Sequence, residues 1–142
     1  MDMERLDREG IAKILPHRDD MALLDEAALL EDGTAEGIYR VRGDEFFLRG
    51  HFPGNPVVPG VIQCEIIAQA SCMLMKDAIP GGTPYYAGIN SVRFRRPVRP
   101  GDTITVHSTL VRSKGMLFVV KGEAKVGDEV CASGEFMFMI GK

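Results

Sequence analysis

One histidine and one acidic side chain have the clearest chemical potential in this chain. Glu65 is the only acidic residue between Val61 and Met75, and His51 lies fourteen residues before it. A histidine can accept a proton near neutral pH, and a carboxyl group in apolar surroundings favours its neutral, proton-donating form. The two residue types together suit general acid–base catalysis on one substrate.

The two residues belong to different kinds of element. His51 lies in the segment GHFPGNPVVPG, Gly50 to Gly60, where three prolines and three glycines exclude a helix interior or a central strand. The segment Val61 to Lys76 has no proline or glycine and predicts the chain's one long helix. A rigid loop would therefore hold His51 and lead directly into the helix that carries Glu65.

Both residues also have ordinary structural explanations. The helix is apolar or small at all but three positions up to Met75, so we expect other elements to surround it. Its length and those three polar residues exclude a membrane span. A buried carboxylate needs a partner, and an arginine such as Arg18 or Arg95 is the alternative to catalysis for Glu65. For His51, the alternative is a simple bond to a backbone carbonyl.

Composition indicates a compact protein of 142 residues, which we interpret as a single domain over residues 1–142. A chain of this size buries roughly 68–70% of its unfolded surface, so a sizeable core is expected. The net charge of −3 provides no basic field for nucleic acid. Residues 1–10 are polar and acidic with no apolar export segment, so we expect a cytoplasmic protein.

Three cysteines are present, Cys64, Cys72 and Cys131. Their odd number and the absence of a CxxC spacing argue against a disulfide framework or a zinc site, and we expect no metal and reduced core thiols. A nucleophilic Cys64 acting beside Glu65 is disfavoured, because neighbouring helical residues point about 100° apart.

Most of the remaining chain predicts strands. A short helix from Asp7 to Leu15 comes first. The predicted strands are Met21 to Leu30, Ala35 to Arg42, Tyr85 to Phe94, Thr103 to Arg112, Leu117 to Lys125 and Glu129 to Ile140. Short turns between them indicate antiparallel neighbours. One antiparallel sheet curled around one apolar helix is an α+β fold, whose edge strands invite a second copy to continue the sheet.

Several motifs occur in one order along nearly the full length of the chain. They are LPHR at Leu15 to Arg18, GHFPG at Gly50 to Gly54, the Glu-x-x-Ala-Gln-Ala pattern at Glu65 to Ala70, AGI at Ala87 to Ile89, RFRRPV at Arg93 to Val98 and PGD at Pro100 to Asp102. In these motifs the chain resembles the FabZ family, the beta-hydroxyacyl-acyl-carrier-protein dehydratases of bacterial type II fatty acid synthesis.

The resemblance implies a hotdog fold and a homodimer with two active sites at its interface; dimers of this family often assemble into hexamers. It also implies that His51 of one chain and Glu65 of the other form the catalytic pair, with the backbone N–H of Gly60 as donor to the thioester carbonyl. The reaction would convert (3R)-hydroxyacyl-acyl-carrier-protein into trans-2-enoyl-acyl-carrier-protein. The substrate would arrive on the phosphopantetheine arm of acyl carrier protein, and no metal or redox cofactor would be needed.

Four arginines form a candidate docking patch for an acidic acyl carrier protein: Arg93, Arg95, Arg96 and Arg99. Cations that protect a strand edge from aggregation are the alternative explanation. Strand alternation would place Arg96 on the opposite face from the other three.

The segment after the LPHR motif departs from the family pattern. Asp19, Asp20 and Met21 stand where the family has an aromatic residue, a proline and another aromatic residue. We therefore do not carry over the family's aromatic tunnel gate, and chain-length preference stays open. His17 and Arg18, within the motif, are expected to be structural.

Two other functions compete with dehydration. A hotdog acyl thioesterase or a related enoyl isomerase comes second, and a catalytically silent carrier-binding module comes third. A thioesterase releases a free thiol, whereas a dehydratase leaves the thioester intact. The presence of both His51 and Glu65 argues against the silent module.

Overall fold

The computed structural model describes residues 2–141, with side chains from residue 5 onward. Seven strands are present in this range: β1 (Asp2–Leu6), β2 (Glu26–Leu30), β3 (Ala35–Arg40), β4 (Thr83–Phe94), β5 (Thr103–Lys114), β6 (Leu117–Val126) and β7 (Glu129–Gly141). They form one antiparallel sheet in the order β1-β2-β3-β5-β6-β7-β4. The two helices are α1 (Arg8–Ala12) and α2 (Gly60–Ser71).

Helix α2 lies against the sheet and is buried along most of its length. The sheet approaches it closely because small residues face it. A Cβ atom at Gly37 would lie 2.5 Å from the Cβ of Ala70, and one at Gly122 would lie 2.5 Å from Cγ2 of Ile67. A curved antiparallel sheet around one main helix is the hotdog arrangement, which confirms the predicted α+β fold.

The α-helical part of the central segment ends at Ser71, five residues before the predicted end at Lys76, and continues as a 3-10 turn over Cys72–Met75. The Ser71 hydroxyl donates to the Ile67 carbonyl at 2.7 Å, a back-bond that disturbs regular helix geometry. A tighter last turn is a common way to end a helix.

The first third of the chain differs most from the predictions. Strand β1 was not predicted, and α1 is shorter than the expected helix from Asp7 to Leu15. Strand β2 begins at Glu26 rather than Met21. The reason is Gln69 on α2, whose side-chain amide donates to the Met21 carbonyl at 2.8 Å and accepts from the Leu23 amide at 3.0 Å. These bonds draw the segment before β2 away from the sheet.

Strand β3 ends at Arg40, two residues before the predicted end. The backbone amides of Arg42 and Gly43 donate to the buried carboxylate of Glu45, at 2.9 and 2.7 Å. Tyr39 Oη donates to the same carboxylate at 2.6 Å. The chain thus turns around Glu45 instead of extending the strand.

Strand β4 lies at the end of the sheet and pairs only with β7 within the described residues. It exposes large apolar side chains, with Tyr85 58%, Ile89 47% and Phe94 53% accessible. The sequence predicted that unpaired edge strands would pair with a second copy, and exposed apolar side chains on such an edge favour contact with a partner. Within residues 2–141, no helix has the length and apolar character needed to cross a bilayer.

Candidate active site

The loop before α2 fixes the orientation of His51. Its Nδ1 lies 3.1 Å from the Val57 carbonyl, and the Val57 amide donates back to the His51 carbonyl at 2.8 Å. The ring stacks on Phe52 with centroids 4.2 Å apart. A carbonyl only accepts, so the hydrogen is assigned to Nδ1 and the neutral ring presents Nε2 as a free base.

His51 lines an open, largely apolar cavity of about 650 Å³ together with the start of α2, including Gly60 and Val61. The helix begins after Pro59 without a side-chain cap. Amides of a first helical turn have no partner inside the helix, and the helix dipole makes that end positive. The Ile62 and Gln63 amides donate to the Pro59 carbonyl at 2.9 and 3.1 Å. Among the described residues, the Gly60 and Val61 amides are therefore the N–H groups of this turn that the cavity can offer to a ligand beside the His51 base.

Close packing against Phe94 also favours glycine at position 60. A Cβ atom on Gly60 would lie 2.9 Å from the ring of Phe94. Glycine therefore lets the aromatic ring of Phe94 cover the helix start next to the cavity that Gly60 lines.

Glu65 lies on α2 with a side chain that is 19% exposed. The Gln69 amide donates to Glu65 Oε2 at 3.0 Å, and His17 Nε2 lies 3.3 Å from the same oxygen. The alternative of an arginine partner is wrong. Arg18 instead donates to three backbone carbonyls between residues 12 and 17, and Arg95 is exposed.

A second, small cavity of about 40 Å³ contains Glu65, His17 and Tyr86. The Tyr86 hydroxyl donates to the Cys64 carbonyl at 3.2 Å. Burial and the Glu65 charge raise the pKa of Tyr86 well above its ordinary value.

The lining of this small cavity does not include His51, and the lining of the His51 cavity does not include Glu65. The structure thus brings His51 together with Gly60, but not with Glu65, inside one chain.

Sequence reasoning missed two polar residues next to these cavities. His17 was expected to be structural, yet it contacts Glu65. Gln63 is 3% exposed and lines the His51 cavity, and its Oε1 has no hydrogen-bond partner within residues 2–141. The available signals were the LPHR motif for His17 and a polar residue in an apolar helix for Gln63.

The four arginines have different surroundings. Arg93 and Arg95 are exposed and make no ion pair with another described residue. Arg96 lies 3.3 Å from Asp102 and 3.4 Å from Glu129, and Arg99 donates to Asn55 at 2.6 Å. Strand alternation was predicted to set the faces of all four arginines, but β4 ends at Phe94 and therefore includes only Arg93. The separation of Arg96 from Arg93 and Arg95 follows instead from its ion pairs.

The cysteines are free and buried, as predicted for core thiols. Burial, followed by the Glu65 charge, raises the pKa of Cys72 to about 12, which keeps this thiol protonated. No group of three or more His, Cys, Asp or Glu side chains in residues 2–141 is arranged to hold a metal ion.

Comparisons with known proteins agree with this architecture. Residues 27–135 match the ApeI-like family, described as ApeI dehydratase. The 3-hydroxyacyl-[acyl-carrier-protein] dehydratase FabZ of Clostridium tetani is 44% identical over 98% of this chain and 100% of its own length. That of Caldicellulosiruptor saccharolyticus is 44% identical over 94% of this chain and 98% of its own length.

Two solved structures show the fold. The dehydratase heterocomplex ApeI:P from Xenorhabdus doucetiae superposes with a TM-score of 0.80 at 19% identity, over 93% of this chain and 91% of the other. A putative thioesterase from Ralstonia eutropha, described as a phenylacetic acid degradation-related protein, reaches a TM-score of 0.61 at 22% identity, over 77% of each chain.

Proposed function

This chain belongs to the FabZ family of 3-hydroxyacyl-[acyl-carrier-protein] dehydratases, and we propose that it removes water from (3R)-hydroxyacyl-acyl-carrier-protein to give the trans-2-enoyl product. The observation that carries the proposal is a 44% identity along the whole of a named FabZ relative. The presence of a loop histidine, a helix carboxyl and an uncapped helix start supports it.

His51 is proposed as the base. Its Nε2 takes the proton from the carbon next to the thioester carbonyl, and the C–H electron pair becomes the new double bond. The Nδ1–H bond to the Val57 carbonyl holds the ring and supports the positive charge that forms on it.

Glu65 is proposed as the acid. Its carboxyl proton passes to the hydroxyl group on the next carbon, the C–O bond breaks with its electron pair on oxygen, and water leaves. After one turnover His51 carries the extra proton and Glu65 is a carboxylate, so both groups must exchange protons with solvent before the next substrate.

The amide of Gly60 is proposed as the donor to the thioester carbonyl oxygen, where negative charge develops during the first proton transfer. Donors held in place at a developing oxyanion lower the barrier because they need no reorganisation. Gly60 and His51 line the same cavity, which supports this role. These proton transfers require no metal or redox cofactor.

We propose that the complete site forms between two copies of the chain. His51 and Glu65 line separate cavities of one chain, so a substrate touching both needs residues from two chains. The exposed apolar edge of β4 is the proposed pairing surface. Further assembly into hexamers, as trimers of dimers, is proposed from the family resemblance alone.

The proposed macromolecular partner is acyl carrier protein, whose phosphopantetheine arm would deliver the substrate. Among the described residues Arg96 is paired with Asp102 and Glu129, and the Arg99 guanidinium donates to Asn55, whereas Arg93 and Arg95 make no ion pair. Arg95 also lines the His51 cavity. We propose that Arg93 and Arg95 form the main docking charges, because Arg96 and Arg99 are already bound to neighbouring side chains of the same chain. A cytoplasmic location is proposed, and free buried cysteines suit a reducing compartment.

One assay separates this function from the thioesterase and isomerase alternatives. A 3-hydroxyacyl thioester on acyl carrier protein is incubated with the protein while enoyl formation, double-bond position and free thiol are followed together. Enoyl product conjugated at carbon 2, with no thiol release, supports the proposal. Free thiol without enoyl product would identify a thioesterase, and a double bond moved to carbon 3 would add isomerase activity.

A further inference from the structure

Two polar side chains meet at one oxygen of the Glu65 carboxyl. The Gln69 amide donates to Oε2 at 3.0 Å, and His17 Nε2 lies 3.3 Å from that oxygen. Gln69 comes from the same helix, one turn later, whereas His17 comes from the segment between α1 and β2. Two groups from different parts of the chain therefore converge on Oε2.

The hydrogen-bond network fixes which atom of Gln69 faces Glu65. The Gln69 side-chain oxygen accepts from the Leu23 amide at 3.0 Å, so its nitrogen must face the Met21 carbonyl and the Glu65 carboxyl. Gln69 is therefore a donor at Oε2, and its orientation is set by the backbone.

The position of the hydrogen on His17 follows from burial. Its Nδ1 is buried and has no hydrogen-bond partner in the part of the chain that the structure describes. A hydrogen on Nδ1 would be a buried donor without an acceptor, which is unfavourable. We therefore assign the hydrogen to Nε2, where the Glu65 carboxylate can accept it.

We propose that His17 is a positioning residue for the Glu65 acid, an inference that rests on the proposed function. His17 and Gln69 hold Oε2, and Oε1 carries the proton that passes to the departing hydroxyl. When that proton leaves, the negative charge on the carboxylate is stabilised by the Gln69 hydrogen bond and by the polar His17 Nε2 group 3.3 Å away. In the hydration direction the same arrangement orients the carboxylate to take a proton from water.

Other titratable side chains lie near the Glu65 carboxyl, but none of them takes the position of His17 beside Oε2. Tyr86 approaches from β4, and Cys64 and Cys72 belong to the helical segment beside Glu65. Burial, together with the Glu65 charge, raises the pKa of all three, so they keep their protons and add no charge. The Tyr86 hydroxyl donates to the Cys64 carbonyl.

A double-mutant cycle of kcat tests the proposal, using the full chain and acyl-carrier-protein substrate. His17→Ala should lower kcat by about 10- to 100-fold, the effect expected for losing a close polar contact to a charged group, with a small change in KM. In the Glu65→Gln background the same substitution should cost less than about twofold, because the residue through which His17 acts is already gone.

Two conservative variants test whether the Nε2 donor matters. His17→Gln can place an amide N–H near the position of Nε2, whereas His17→Asn is too short. We expect His17→Gln to recover most of the activity lost in His17→Ala, and His17→Asn to recover little. Both keep a polar side chain in the same segment, so the comparison holds even if His17→Ala folds poorly. His107→Gln on β5 is the matched control, because His107 bonds to Thr34 and lines neither cavity.

The outcomes separate this inference from the function on which it rests. A near-normal rate for Glu65→Gln would overturn the proposed role of Glu65 itself. Equal losses from His17→Ala in the two backgrounds, or no loss in the unmodified protein, would overturn only the positioning role. Equal recovery by His17→Gln and His17→Asn would also contradict it.

Discussion

His51 and Glu65 line two separate cavities of the same chain, although only fourteen positions separate them in sequence. His51 opens onto the start of α2, whereas Glu65 faces Tyr86 and His17, more than one helical turn further along. This separation, together with the resemblance to the FabZ family, is the basis of our proposal that the substrate is bound between two chains.

The first prediction concerns the acid and the base. His51→Ala and Glu65→Gln should each lower kcat by roughly 100- to 10,000-fold, the usual effect of losing one general acid or base. Steady-state assays of each purified variant on carrier-bound hydroxyacyl substrate measure this. A near-normal rate in either variant would remove that residue from the mechanism.

Mixing the two inactive variants tests the shared site. If each site takes His51 from one chain and Glu65 from the other, a mixed dimer contains one intact site and one doubly altered site. Random reassociation makes half of the dimers mixed, so we expect about a quarter of normal activity to return. A mixture as inactive as its components, with subunit exchange shown by mass spectrometry, would contradict a site formed between chains.

A charge on the exposed edge of β4 should prevent pairing. Ile89 is 47% exposed, and Ile89→Glu would place a carboxylate in the proposed apolar interface. We expect monomers by light scattering, loss of activity and a retained fold by circular dichroism. Val111→Glu is the control, because Val111 is similarly exposed, at 42%, on β5. Full activity in a monomeric Ile89→Glu protein would contradict the dimeric site.

Carrier-protein docking predicts an effect that depends on the substrate. Arg93→Glu combined with Arg95→Glu should raise KM for carrier-bound substrate by about tenfold or more at low salt, and should spare small thioester analogues. Arg112→Glu makes the same charge change on β5 and serves as control. Equal losses on carrier-bound and small substrates would place the effect in the active site rather than in docking.

Glu45 predicts a pH dependence of stability. Burial alone raises the pKa of Glu45, but hydrogen bonds from Tyr39 and from the amides of Arg42 and Gly43 outweigh it, and the pKa lies below the ordinary 4.5. The unfolded chain then takes up the proton first as the pH falls. The stabilisation is fully present above the unfolded-state pKa and is lost as the pH falls through the lower folded-state pKa.

Urea unfolding of Glu45→Gln tests this assignment. At about pH 7 the substitution should lower the free energy of unfolding by about 1–3 kcal/mol, the range for a disrupted buried hydrogen-bond network. The difference from the unmodified protein should shrink as the pH is lowered stepwise below the ordinary Glu pKa of 4.5, because the native carboxylate is then progressively protonated. The neighbouring, exposed Asp44→Asn should show neither effect. A deficit that stays constant across this pH range would rule out the carboxylate charge as its source.

The sequence by itself determined the class of fold and supplied the candidate residues for chemistry. The run from Val61 to Met75 predicted a surrounded helix, the short turns predicted antiparallel strands, and the proline-rich loop predicted a fixed His51. These features depend on local backbone preference and on the periodicity of apolar residues, which can be read along the chain.

Only the tertiary structure decided which side chains meet. Glu65 contacts His17 and Gln69 rather than an arginine, and β2 begins late because Gln69 holds Met21 and Leu23. The bonds from Gln69 to the segment before β2 join positions 46 to 48 residues apart, and no local preference encodes them. Their partners are set by how α2 packs against the sheet and by the requirement that buried polar groups find hydrogen bonds.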